Sequence, residues 1–158
     1  MGNIFAASEV VEIGIQIEKN GRDFYNTLFN NSNTAKAKEI YKYLAKEEEK
    51  HIAVFQKIFD SVEKYEPAEA YPGEYFAYMS ALASEHVFTK KNKGAEVAKK
   101  TKTDKEAVSL GIGFEKDSII FYEGMKKVVT DRDQAIVDRL IAEEQCHLRT
   151  LSELKSKL

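Results

Sequence analysis

Two segments of the chain, GIQIEKNGRDFYNTL (14–28) and GIGFEKDSIIFYEGM (111–125), align without gaps, with Gly, Ile, Glu-Lys and Phe-Tyr at matching places. A second pair, IYKYLAKEEEKHIAVFQKI (40–58) and IVDRLIAEEQCHLRTLSEL (136–154), aligns in the same way. Such a repeat constrains the fold strongly, because each unit must bury its apolar side against its copy. The unit here is a pair of helices, so the chain reads as two helical hairpins.

Each helix carries an inward stripe at three- and four-residue spacing. In the first it runs Val11, Gly14, Glu18, Gly21, Tyr25, Leu28, and in its repeat Val108, Gly111, Glu115, Ser118, Tyr122, Met125. The second helix gives Ile40, Leu44, Glu48, His51, Phe55, Ile58, and its mate Ile136, Leu140, Glu144, His147, Leu151, Leu154. All four stripes are apolar or small at their ends and ionisable in the middle.

The breaks fit this layout. NNSN (30–33) and TDRD (130–133) are short polar interruptions, so each hairpin should place its two helices antiparallel. Thr103 with Glu106 fits a capping box at the start of the third bundle helix. Hairpin 1 is expected over about 5–62 and hairpin 2 over about 104–157, in a single 158-residue domain. The crossover between them, roughly 63–103, is too long for a turn, and PGEYFAYMSALASEHVF (72–88) within it reads as an extra helix. Its Tyr71, Tyr75, Phe76, Tyr78, Met79 and Phe88 carry more apolar surface than a loose connector needs, so it should pack on the bundle or on a second subunit. With two prolines and eight glycines, the composition favours long helices.

A buried carboxylate is costly unless it is paired, protonated or bound to a metal. Glu18, Glu48, Glu115 and Glu144 share one level with His51 and His147, and no Lys or Arg occupies an inward position. Two divalent cations would balance four carboxylates. Without metal the same glutamates should repel one another and take up protons. Residues i and i+3 share a helix face, so Glu48 with His51, and Glu144 with His147, can reach one site each. One Glu from each of two helices plus Glu-x-x-His from each of the other two is the ligand pattern of di-metal carboxylate bundles. Mixed oxygen and imidazole donors suit Fe(II), Mn(II) or Zn(II). A single Glu-x-x-His is more often a solvated pair; two in register, each facing a helix centred on a glutamate, carry the argument. Glu47 to His51 is also a same-face spacing, but Leu44 and Leu140, four residues before Glu48 and Glu144, favour the i,i+3 frame. Glu47, Glu49 and Glu143 are then expected on the surface.

At these residues the chain resembles the ferritin-like di-iron proteins of the rubrerythrin group, through E-K-x-x-x-x-F-Y on the first and third helices and E-x-x-H on the second and fourth. The resemblance implies an all-α, ferritin-like four-helix bundle holding two Fe ions. Glu48 and Glu144 would bridge them, Glu18 and His51 would complete one site, and Glu115 and His147 the other. Tyr25 and Tyr122, seven residues beyond the terminal glutamates, would hydrogen-bond to the ligand shell; the alternative is two core tyrosines with satisfied hydroxyls. Typical rubrerythrins carry a further glutamate where Ser118 stands, and the repeat mate of Ser118 is Gly21, so a near-symmetric site of six ligands is implied. The leading functional expectation is an oxidoreductase that oxidises Fe(II) with O2 or reduces peroxide. Iron storage or delivery, or a metal-stabilised interaction module, are the alternatives. No rubredoxin-type module exists, so an external electron donor is expected, and a homodimer or higher homo-oligomer.

Other features limit the partners. A net charge of −2 gives no reason to expect nucleic acid, and the longest apolar runs are too short to span a membrane. No signal peptide is evident, and Ala6 breaks the myristoylation pattern, so a cytoplasmic location is expected. Lysines 90, 91, 93, 99, 100, 102 and 105 read as a solvated loop. Glu85 or His86 could add a ligand or shield the site, but they match no ligand spacing, and a solvated or interface position is the expectation for both. Cys146, the one cysteine, excludes an internal disulfide, and a buried or partly buried inert thiol is expected.

Overall fold

The computed structural model describes residues 7–65 and 73–158, with the side chains of 63–65 excepted. Among these residues there is no strand. Helix α1 (Ala7–Asn31) and α2 (Ala35–Tyr65) form the first hairpin, and α5 (Asp104–Met125) and α6 (Asp131–Lys155) the second. Each pair packs along its length, α1 also meets α5, and α2 meets α6, which closes a four-helix bundle. The first helix runs on through Asn30 and Asn31, so the break falls at Ser32–Thr34. Thr130 caps α6 by accepting from the Asp133 amide. Thr103 likewise accepts from the Glu106 amide, while the Glu106 carboxylate reaches back to the amide of Lys102, not to that of Thr103.

The apolar ends of the stripes become two hydrophobic clusters. One gathers Val10, Val11, Phe55, Ile58, Phe121, Met125 and Leu140, the other Phe24, Leu28, Tyr41, Leu44, Val108, Leu151 and Leu154. The ionisable level lies between them. Ile40 and Ile136 are half-buried, while Tyr41 and Val137 beside them are buried, so on α2 and α6 the inward position nearest the turn falls one residue later than the spacing predicts.

The crossover is more built than its sequence suggests. Two helices occupy it, α3 (Gly73–Glu85) and α4 (Lys93–Lys99), with a 3-10 turn at Val87–Thr89 between them. Tyr71 lies outside the described residues. Helix α3 buries Tyr75, Phe76, Met79 and Ala83 against the bundle, and the Tyr75 hydroxyl donates to the Gly124 carbonyl of α5. The lysine-rich stretch is not a solvated loop throughout: it contains α4, which packs on α1 through Gly94 and Ala98 and leaves the lysines outward or half-buried.

Asn20 makes that contact possible. It is buried, its amide donates to the carbonyls of Phe88 and Lys90, and its carbonyl accepts from the amides of Lys93 and Gly94. That uses both donors and both lone pairs of one side chain. Gly94 sits so close that a Cβ there would lie 1.9 Å from the Asn20 carbonyl oxygen. Cys146 is exposed, contrary to expectation: the turn that aims His147 inward aims its neighbour at solvent.

Candidate metal centre

Helix periodicity brings the six ionisable stripe residues to one level, each at most 4% exposed. Among the described residues no lysine or arginine pairs with any of them; the ion pairs of Arg22, Lys50, Lys93 and Lys126 go to acids on the surface. Both imidazoles turn Nδ1 inward. His51 Nδ1 lies 2.7 Å from Glu144 Oε1, 3.4 Å from Glu18 Oε2 and 3.9 Å from Glu48 Oε2. His147 Nδ1 lies 3.3 Å from Glu48 Oε1, 3.4 Å from Glu144 Oε2 and 3.9 Å from Glu115 Oε1. Glu48 and Glu144 thus offer one oxygen to each histidine. Glu18 faces only His51, and Glu115 only His147. The two rings stack with centroids 5.6 Å apart.

These donors are poorly satisfied by the protein itself. Glu18 Oε2, Glu48 Oε1, His51 Nδ1, Glu144 Oε1 and His147 Nδ1 are buried and have no hydrogen-bond partner, the close approach of His51 to Glu144 lacking hydrogen-bond geometry. An orphaned buried polar atom costs about 1–3 kcal/mol. Five such atoms converging on one spot fit a pair of divalent cations held by carboxylate and imidazole. One oxygen or nitrogen from each of Glu18, Glu48, His51 and Glu144 lies within 4.8 Å of the others, and the same holds for Glu48, Glu115, Glu144 and His147.

Without a cation the cluster holds protons and titrates as a unit. Burial, with the charges of Glu144 and Glu18, pushes Glu48 well above the usual carboxylate range. Burial and then Glu144 do the same to Glu115. Burial would push Glu144 up too, but the approach of Glu115 and of the imidazoles of His147 and His51 holds it well below. Burial disfavours imidazolium at His51, yet Glu18 and Glu144 outweigh it and push that ring up to about 12.

The tyrosines are more than core filling. Tyr25 donates to Glu115 Oε1 at 2.6 Å and Tyr122 to Glu18 Oε1 at 2.5 Å, so each serves the opposite hairpin. Burial comes first among the causes that push both phenols well above their ordinary value.

Three residues differ from their sequence expectation. Glu143 is 42% exposed, but its Oε2 lies 2.6 Å from His51 Nε2, the ring nitrogen that faces away from the cluster. Its contact spans two hairpins, and no spacing along α6 announces it. Glu47 is half-buried beside the same histidine and pairs with Lys50, whereas Glu49 is exposed and pairs with Arg22. His86 is buried, not solvated: Nε2 lies 3.1 Å from Ser118 Oγ, and Nδ1 accepts from the Phe88 amide. The short 3-10 turn after α3 folds its ring back onto α5, while Glu85 stays exposed.

Fold and site together define a ferritin-like carboxylate bundle: two helical hairpins around a buried cluster able to hold metal. The model of the family Rubrerythrin matches residues 9–155. The chain belongs to the rubrerythrin family. Its fold is similar, with a TM-score of 0.76, to the crystal structure of a Thermotoga maritima protein described as a ferritin-like diiron-carboxylate protein. The two are 28% identical over 99% of this chain and 98% of that one. Comparison with curated proteins gives no match. Among the described residues no helix is long and apolar enough to cross a membrane.

Proposed function

We propose that the chain is a non-haem di-iron oxidoreductase that oxidises Fe(II) with dioxygen or reduces hydrogen peroxide, with electrons from an external donor. What supports this reading most is the way Glu48 and Glu144 divide their oxygens between the two histidines. That division suits two bridging carboxylates. Glu18 and His51 would then complete one iron site, and Glu115 and His147 the other.

When bound, a pair of ferrous ions would supply the two electrons that, with two protons from solvent, turn one peroxide into two waters. The chain's own residues prepare the place. Glu48 and Glu115, raised by burial and by the neighbouring carboxylates, give up protons to bind cations, so loading should release protons. Tyr25 and Tyr122 hold one oxygen each of Glu115 and Glu18 and leave the other free. Glu143 takes the outer nitrogen of His51 and directs the inner one at the cluster, where it would give up its proton to a cation. The apolar clusters above and below keep bulk water away.

The test is anaerobic loading with Fe(II) followed by measured consumption of O2 or H2O2. One peroxide consumed per pair of Fe(II) is expected. Full loading with no oxidation by either oxidant would overturn the redox reading.

A further inference from the structure

Beside the candidate metal centre lies a void of about 10 Å³, walled by Gly21, Glu48, Glu115 and Ser118 with Phe88 and Phe114. That is room for about one water, and Glu48, Glu115 and Ser118 supply the polar partners that a buried water needs. The crossover reaches it through Phe88, and His86 holds Ser118 in its wall. Because His86 Nδ1 accepts from the Phe88 amide, a neutral ring must carry its proton on Nε2. Burial keeps the ring neutral, lowering it to about 4. Nε2–H therefore donates to Ser118 Oγ. The serine hydroxyl keeps its own proton, and among the described residues no protein group accepts it. A hydrogen-bond donor is thus oriented at the wall of a water-sized space.

We propose that Ser118, oriented by His86, and Gly21 opposite form a seat for one water-sized oxygen ligand beside Glu48 and Glu115. In the resting protein the occupant is water; during turnover it is an oxygen of hydrogen peroxide. Only the second half rests on the function proposed above. Gly21 keeps the seat open: a Cβ there would meet the Glu48 carboxylate at 3.4–3.5 Å, ordinary contact, so alanine fills the space without a clash.

High-resolution crystal structures of the metal-free wild type and Gly21→Ala, with nitrogen-15 NMR of His86, test the first half. Expected are an ordered water on Ser118 Oγ in the wild type, its loss in Gly21→Ala, and the Nε2–H tautomer in both. Peroxide kinetics of the iron-loaded wild type, Gly21→Ala and Ser118→Ala, each checked for full iron loading, test the second. KM should rise roughly tenfold in each variant with kcat little changed, through one lost hydrogen bond in Ser118→Ala and through the filled seat in Gly21→Ala. No water at Ser118 in the wild type, or His86 protonated on Nδ1, overturns the seat whatever iron does. An unchanged KM in both variants overturns its peroxide role. A wild type that loads iron but consumes no peroxide counts against the proposed function and leaves the water and tautomer results standing.

Discussion

Tyr25 stands two turns beyond Glu18 on α1, yet its hydroxyl holds Glu115 of the other hairpin, 90 residues away in the chain. Tyr122 returns the bond to Glu18. The two hairpins are therefore joined at the level of the site by reciprocal donors, each fixing a carboxylate its own helix does not carry. Tyr25→Phe should cost about 1–3 kcal/mol in chemical denaturation, because Glu115 Oε1 loses its donor while remaining buried. In a Zn(II) titration it should weaken the Glu115 and His147 side first, by roughly 10- to 100-fold. Weakening confined to the Glu18 side would contradict the crossed pairing.

Glu143 makes the two halves unequal. It backs His51, whereas the ring of His147 meets the edge of the half-exposed Tyr43, 6.2 Å between centroids. Removing the outer partner of a metal-binding histidine typically weakens binding by roughly 10- to 100-fold. Glu143→Ala should turn the Zn(II) titration biphasic, one site weakened and the other kept, and Glu143→Gln should restore part of the loss. Equal weakening of both sites would show that Glu143 acts only through surface charge.

Asn20 and Gly94 fasten the crossover to α1, two residues from Glu18. Gly94→Ala forces a Cβ into backbone and should destabilise by about 3 kcal/mol or more, at the upper end of overpacking costs. Asn20→Asp sets a carboxylate against the carbonyls of Phe88 and Lys90 and should cost a similar amount. Denaturant midpoints of both variants check this. A shift within the range of ordinary surface changes, about 0.5 kcal/mol, would contradict it.

What the sequence made legible was whatever follows helix periodicity. Glu48 with His51 and Glu144 with His147 face inward because i and i+3 share a face, and the repeat made the level common to all four helices. Side chains that meet across hairpins left no such trace. Glu143 reaches His51, and His86 reaches Ser118, only because the crossover and the opposite helix come to lie where packing puts them. Helix α4 escaped for another reason: its lysines dominate the local composition, while two small residues, Gly94 and Ala98, and the Asn20 side chain hold it to α1. The exposure of Cys146 follows from the same geometry that buries His147, and the general tendency of free thiols to be buried gave way to it.

Stability of the metal-free protein should fall as pH rises. Glu48 and Glu115 are raised above their unfolded value of about 4.3, so the folded state keeps protons that the unfolded chain has released. Their contribution is complete below that value and is lost as pH climbs through the folded values. His51, raised to about 12, acts the same way above its unfolded value of roughly 6.5. Glu144, held low, acts oppositely, but its contribution is lost only as pH falls through its depressed value. His86, lowered to about 4, opposes this up to its unfolded value of roughly 6.5, but it is one group against Glu48 and Glu115. Denaturant midpoints of metal-free protein should therefore decline between about pH 5 and about pH 9, most clearly above about pH 6.5. With Zn(II) present they should rise instead, because the cations need deprotonated ligands. A metal-free midpoint that rises over this range would contradict the protonated cluster.

The central claim is that Glu48 and Glu144 are shared between two cations, each completed by one further glutamate and one histidine. Metal analysis after equilibrium dialysis against Fe(II) under anaerobic conditions tests it most directly, on the wild type and on Glu48→Ala combined with Glu144→Ala. The account predicts two metals per chain in the wild type and none retained in the double variant. Fewer than two in the iron-replete wild type, or binding unchanged in the double variant, would contradict it.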